Sequence, residues 1–192
     1  LSQGTFPSLI RPITGILVIL HNIQNIKMNY FELFGLPIGF QVDTQKLRAA
    51  FMEIQKATHP DKFAQGNPDE QEAALEQSSM ANKGYTLLNQ KERILPYVLE
   101  ILGILTPDEK YALEPDFLME MMDLNEAWMD ADTDTDKQTV TEQVKTIQNA
   151  IYTPVKAILE GNSINITKEA MLQVKEYYYK KKYLDRILAD FR

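Results

Sequence analysis

The chain has 192 residues, 44% of them hydrophobic and 24% charged, proportions typical of one large globular domain or two small ones. Its 27 acidic and 20 basic residues give a net charge of −7, which argues against nucleic acid as a partner. It has no cysteine and only two histidines, which excludes disulfides and thiolate chemistry and leaves little for a zinc site.

Residues 1–27 differ from the rest because they contain two basic residues and no acidic one. Their apolar run, residues 13–20, is about a third of the length of a membrane span, so we expect no membrane partner. We interpret the segment as sequence upstream of a natural start at Met28, with an organelle-targeting peptide as the alternative; the basic start and cleavage site of a signal peptide are not clear. His21 lies in this segment and is assigned no role.

From residue 28 onward the hydrophobic spacing predicts helices and no strands. A short helix closed by Gly35 is followed by a helix that Asp43 caps and that ends near residue 58. After a stretch of turn residues, HPDKFAQGNPD, two more helices are predicted near residues 70–88 and 92–102. Residues 104–112 read as a linker.

The C-terminal part predicts three helices, near residues 115–131, 135–160 and 167–191. Short connections favour antiparallel neighbours and therefore a three-helix bundle. Pro154 should kink or break the second helix, because proline removes a backbone donor. The predicted fold is all-α, with an N-terminal domain over residues 28–103 and a C-terminal domain over residues 113–192.

The sequence His59-Pro60-Asp61-Lys62 follows the second predicted helix. Taken alone, it is most simply a turn, because Pro60 ends the helix and Asp61 can bond to loop amides. A catalytic or metal site would need further partners that the neighbouring sequence does not supply. A motif that a partner recognises is the third interpretation.

The flanking sequence favours that third interpretation. The segments NYFELFGL, HPDKF and ANKGYTLL resemble a J-domain, the DnaJ-like module that acts on DnaK-type chaperones. Together with DFLMEMMDLNEAW they resemble, more particularly, the HscB family of iron–sulfur cluster co-chaperones, over about residues 28–191. The resemblance implies a helical hairpin whose His-Pro-Asp loop is recognised by an ATPase chaperone and triggers ATP hydrolysis. It assigns six residues to this surface: His59, Pro60, Asp61, Lys62, Arg48 and Lys56.

The second predicted helix departs from the general J-domain pattern. Met52 and Glu53 stand where basic residues are frequent. This weaker cationic surface suggests either a dedicated chaperone partner or looser binding.

The helix near residues 115–131 has more apolar residues than one core face needs. Phe117, Met121, Leu124 and Trp128 already form a complete core stripe. The remaining apolar residues share a second face with carboxylates: Leu118, Met119, Met122 and Met129. This face is either the edge of a wide core stripe with a solvated acidic rim or a protein-binding surface.

The resemblance favours binding, since HscB proteins hold the iron–sulfur scaffold protein with this helix. It assigns seven residues to that surface: Leu118, Met119, Met122, Asp123, Glu126, Asp130 and Tyr183. Tyr179 and Tyr183 both fall opposite the core stripe of the last helix, and only Tyr183 matches the family's aromatic position. Lys180, Lys181 and Lys182 read as a solvated face opposite the acidic helix.

The sequence therefore predicts a co-chaperone for iron–sulfur cluster biogenesis. Its predicted partners are an HscA-like ATPase chaperone and an IscU-like scaffold, and we expect no catalytic residues, cofactor or metal. The cysteine-rich module of some eukaryotic relatives is missing, which favours a bacterial cytoplasm over a mitochondrial matrix. The alternatives are a J-domain co-chaperone for a different client and a non-catalytic helical adaptor.

Overall fold

The computed structural model describes residues 28–63, 67–161 and 167–191, and the predicted segment before Met28 lies outside these residues. The described residues form helices joined by turns, without a strand among them, so the predicted all-α class is confirmed. The elements are α1 (Tyr30–Leu33), α2 (Thr44–Ala57), a 3-10 turn (Pro60–Lys62), α3 (Pro68–Leu88), α4 (Lys91–Ile101), α5 (Pro115–Met129), α6 (Asp134–Tyr152), a 3-10 turn (Thr153–Val155), α7 (Lys156–Glu160) and α8 (Lys168–Ala189).

Helices α2 and α3 form an antiparallel hairpin. In the middle of α2, Phe51 stacks on Tyr85 with ring centroids 4.4 Å apart. Nearer the tip, the Gln55 amide donates a hydrogen bond to Asn82 Oδ1 at 3.4 Å and accepts one from Ser78 Oγ at 3.3 Å. Higher residue numbers on α2 contact lower residue numbers on α3, so the two helices are antiparallel.

Helix α1 lies against this hairpin at Gly84. A Cβ atom added there would stand 2.7 Å from Tyr30 Cδ1 and 3.0 Å from Phe34 Cε2, so only glycine allows this approach. The Tyr30 amide donates a hydrogen bond to the Tyr97 hydroxyl of α4 at 2.7 Å, and burial raises the pKa of that hydroxyl. These contacts fix α1 and α4 to one end of the hairpin.

The C-terminal helices enclose their own apolar core. Its buried members come from α5, α6 and α8: Phe117, Met121, Leu124, Val140, Val144, Ile147 and Leu184. Pro154 ends α6 as predicted, because the chain passes through a 3-10 turn and continues only as the short α7.

A second apolar core joins the N-terminal helices to the other end of α8. Met171 and Val174 of α8 are buried in one cluster with Phe31, Leu99 and Leu159. Lys175 of α8 donates a hydrogen bond to the Ile104 carbonyl at 2.8 Å. The predicted linker therefore packs against α8, and the domain boundaries at residues 28–103, 104–112 and 113–192 stay a prediction.

None of the helices in the described ranges is both long enough and apolar enough to span a membrane.

Candidate functional site: two protein-binding surfaces

The His59-Pro60-Asp61 sequence forms an exposed turn at the tip of the hairpin. His59 precedes the 3-10 turn, whose closure is a hydrogen bond from the Lys62 amide to the His59 carbonyl at 3.0 Å. The side chains of His59 and Asp61 are 58% and 89% exposed. Both functional groups of the motif are therefore accessible to a partner protein.

The two side chains of this turn are also held relative to each other. His59 Nδ1 accepts a hydrogen bond from the Asp61 amide at 3.3 Å and lies 3.5 Å from Asp61 Oδ2. The backbone hydrogen bond therefore holds the His59 ring close to the Asp61 carboxylate at the tip of the hairpin.

Thr58 stabilises the end of α2 directly before this turn, a role that was not predicted from the sequence. It is the buried polar residue of the described core, at 5% exposure, and its hydroxyl donates a hydrogen bond to the Ile54 carbonyl at 2.9 Å. The bond closes the last turn of α2 directly before His59. The sequence does contain a signal for this role, because a threonine at the end of a helix can bond to the carbonyl four residues earlier, and Thr58 directly precedes His59-Pro60.

The predicted cations lie along α2 and in the turn itself. Arg48 is near the start of α2, Lys56 is in its last turn and Lys62 ends the 3-10 turn, and all three are exposed. Lys56 forms an ion pair with Glu53 at 3.2 Å, which partly neutralises it. Gln55, next to Lys56 on the helix, forms hydrogen bonds with α3 and is half-buried.

The described residues contain no group of three or more His, Asp or Glu side chains that could hold a metal ion.

Helix α5 carries the second surface, and its methionines face solvent. Met119, Met122 and Met129 are 56%, 69% and 76% exposed, whereas Met121 is fully buried. Leu118 is half-buried at the edge of this face. These exposures argue against a wide core stripe and leave an apolar surface without an intramolecular partner in the described structure.

Carboxylates surround the exposed methionines. Asp123, Glu126 and Asp130 are exposed, and their assignment to a scaffold-binding surface stays a prediction. At the N-terminal end of α5, an open groove of about 930 Å³ is shared with α6 and α8. Met119 and Asp123 line it together with Glu120 and Glu176, so the acidic character continues into the groove.

Tyr183 of α8 borders the α5 surface. Its ring lies edge-on to Phe117, with centroids 6.3 Å apart, and the Arg186 guanidinium lies over it at 4.6 Å. The ring is half-buried and adjoins the apolar core of the C-terminal helices, so its predicted position opposite the core stripe of α8 is wrong. The exposed Arg186 lies over one face of the ring, and the contact with Phe117 places the ring beside α5.

Tyr179 has a structural role that the sequence reasoning did not predict. Its ring stacks on Tyr111 at 4.4 Å with an interplanar angle of 2°, and burial raises the pKa of both hydroxyls. Its predicted position opposite the core stripe is also wrong, because the predicted linker covers this side of α8.

The three lysines of α8 do not form one solvated face. Lys180 pairs with Glu176 and lies 5.5 Å from the Phe117 ring centre, turned towards α5. Lys181 pairs with Asp185, and Lys182 lies near Tyr178. The exposed face expected from all three residues is therefore wrong for Lys180.

Comparison with known proteins agrees with this architecture. Residues 113–192 match the family model described as the HSCB C-terminal oligomerisation domain. The crystal structure of human co-chaperone protein HscB is similar with a TM-score of 0.63 and 26% sequence identity, over 87% of this chain and 82% of that chain. The chaperone HscB from Vibrio cholerae has 27% identity over 86% of this chain and 100% of that chain, with a TM-score of 0.49.

A helical hairpin with an exposed His-Pro-Asp tip, followed by a helical C-terminal region, is the architecture expected for a J-domain co-chaperone. Residues 113–192 match the C-terminal domain of the HscB family, and the described fold is similar to that of human HscB. These findings support an HscB-type co-chaperone and confirm the resemblance seen in the sequence.

Proposed function

We propose that this protein delivers an iron–sulfur scaffold protein to a specialised DnaK-type ATPase, and that it stimulates ATP hydrolysis by that ATPase. The observation that carries the proposal is the presence of two separate exposed surfaces on one helical frame. One is the His59 turn with its neighbouring cations, and the other is the methionine and carboxylate face of α5.

The first surface suits an acidic partner site. His59, Asp61 and the exposed cations of α2 present directional hydrogen-bonding groups and positive charge at the hairpin tip. Each exposed ion pair contributes only about 0–1 kcal/mol, so recognition depends on several contacts together. We assign the HscA-like chaperone to this surface.

The second surface suits a protein client. Exposed methionines adapt to varied apolar partners, and a rim of carboxylates adds orientation and specificity. Leu118, Met119, Met122 and Tyr183 supply the apolar contacts of this proposal. Asp123, Glu126 and Asp130 would meet basic groups of an IscU-like scaffold.

In this proposal the chain is not an enzyme: it brings client and chaperone together, and the chemistry takes place in the ATPase. We also propose a cytoplasmic location for this protein.

Single-turnover ATP hydrolysis by the cognate chaperone tests the proposal, with and without this protein and the scaffold. We expect acceleration by the native protein and its loss in His59→Gln. The Met119→Ala/Met122→Ala pair should lose only the part of the acceleration that depends on the scaffold. If His59→Gln stimulates as well as the native protein, the hairpin tip is only a turn and the co-chaperone mechanism is wrong.

A further inference from the structure

Met52 is an exposed apolar residue within the cationic face of α2. Its side chain is 46% exposed, whereas Leu47 on the core side of the same helix is fully buried. Arg48, Met52 and Lys56 follow one another at four-residue intervals, so they form one row along the helix. The row leads towards the turn that begins at His59.

The electrostatics of this row are weaker than its composition suggests. Lys56 already pairs with Glu53 of the same helix. Arg48 makes no ion pair within the described residues and is the unpaired cation of the row. Cationic attraction along α2 therefore rests mainly on one arginine, and an uncharged thioether occupies the centre.

We infer that Met52 is a specificity-determining contact for the ATPase chaperone, an inference that rests on the proposed function. The complementary surface on the chaperone is an apolar patch that receives Met52 and has carboxylates at its edge for Arg48 and Lys62. A methionine is suited to this position because its flexible, polarisable side chain fills irregular apolar surfaces.

The same contact discriminates against other chaperones of this class. A chaperone with a carboxylate opposite residue 52 would lose hydration of that carboxylate without gaining a cation. The Met52 contact also differs from an ion pair in its response to salt. Salt screens exposed charges, whereas it does not weaken the burial of a thioether in the same way.

The test measures the concentration of this protein that gives half-maximal stimulation of the chaperone ATPase, at low and high salt (about 0.05 and 0.3 M). Met52→Ala should raise that concentration about fivefold at both salt concentrations, because it removes apolar contact area and no charge. Met52→Lys should weaken stimulation of the cognate chaperone and make it more dependent on salt.

Leu75→Ala is the matched control, because Leu75 is 70% exposed on the other helix of the hairpin, outside the Arg48–Met52–Lys56 row. It should stimulate as the native chain does. If Met52→Ala also matches the native chain while His59→Gln is inactive, the Met52 contact is refuted and the proposed function stands. If the native chain itself fails to stimulate, both are overturned.

Discussion

Lys175 of α8 forms an ion pair with Glu109, with its Nζ 2.5 Å from Glu109 Oε1. The same ammonium group donates a hydrogen bond to the Ile104 carbonyl at 2.8 Å. Both partners belong to the segment between α4 and α5, and both side chains of the ion pair are mostly buried, at 12% and 24% exposure. Lys175 therefore helps to hold the predicted linker against α8.

Replacing this lysine should destabilise the protein. Lys175→Met leaves the Ile104 carbonyl without its donor, which costs about 1 kcal/mol in the free energy of unfolding. Urea unfolding measures the change. Lys181→Met is the matched control, because Lys181 pairs with Asp185 on the exposed side of α8, and its loss should change stability by less than about 0.5 kcal/mol. Equal effects of the two variants would contradict a fastening role for Lys175.

The same contact predicts a pH dependence. The hydrogen bond from Lys175 holds the pKa of Glu109 below its usual value of 4.5, despite partial burial. The ionised carboxylate thus stabilises the folded state above about pH 4.5, and this contribution disappears as the pH falls through the lower folded-state pKa. On acidification, the native protein should lose more stability than Glu109→Gln. Urea unfolding at several pH values checks this, and parallel curves for the two proteins would refute it.

Replacing Gly84 even by alanine should destabilise the protein. Alanine normally stabilises an exposed helix position by about 1 kcal/mol relative to glycine. Here its Cβ would meet the Tyr30 ring at 2.7 Å, so Gly84→Ala should instead destabilise by about 1–3 kcal/mol. Thermal unfolding of the double variant with Tyr30→Ala supplies the control. If the clash is the cause, Gly84→Ala costs less in that background.

Thr133 should contribute to stability as the cap of α6. Its hydroxyl accepts a hydrogen bond from the Asp136 amide at 3.1 Å, and the Asp136 carboxylate accepts one from the Thr133 amide at 3.0 Å. Thr133→Ala should cost about 1 kcal/mol in urea unfolding. Thr135→Ala removes an exposed hydroxyl from the first turn of the same helix and should be nearly neutral. A similar loss in both variants would show that the cap is unimportant.

The features that the sequence predicted correctly depend on local chemistry. The spacing of Phe117, Met121 and Leu124 repeats with the helical period, and all three are buried. Pro154 lacks a backbone donor wherever it stands, so the end of α6 could be predicted without knowing its neighbours. The complete core stripe left Met119 and Met122 either at the edge of a wider stripe or on an exposed binding surface, and the resemblance to the HscB family favoured exposure, which the structure shows.

The features that the sequence did not predict depend on contacts between distant segments. Met171 is buried and Tyr179 is covered because α8 packs against the N-terminal helices with one half and against α5 and α6 with the other. A single helical stripe cannot represent a helix whose buried face changes along its length. The half-buried position of Gln55 has a related cause, since its hydrogen-bonding partners are on α3.

The two tyrosines of α8 allow the α5 surface to be tested separately from the fold. Tyr183 adjoins Phe117 of α5, the helix that carries the exposed methionines, whereas Tyr179 stacks on Tyr111. Tyr183→Ala should weaken scaffold binding about tenfold, since truncating an aromatic contact at an interface commonly costs 1 kcal/mol or more. Tyr179→Ala should lower the thermal unfolding temperature and leave the affinity within about twofold, because its ring packs inside the protein.

Titration calorimetry with the scaffold, together with thermal unfolding of each variant, separates the two effects. If Tyr179→Ala weakens binding while Tyr183→Ala does not, the scaffold contacts the opposite side of α8 and the proposed surface on α5 is wrong.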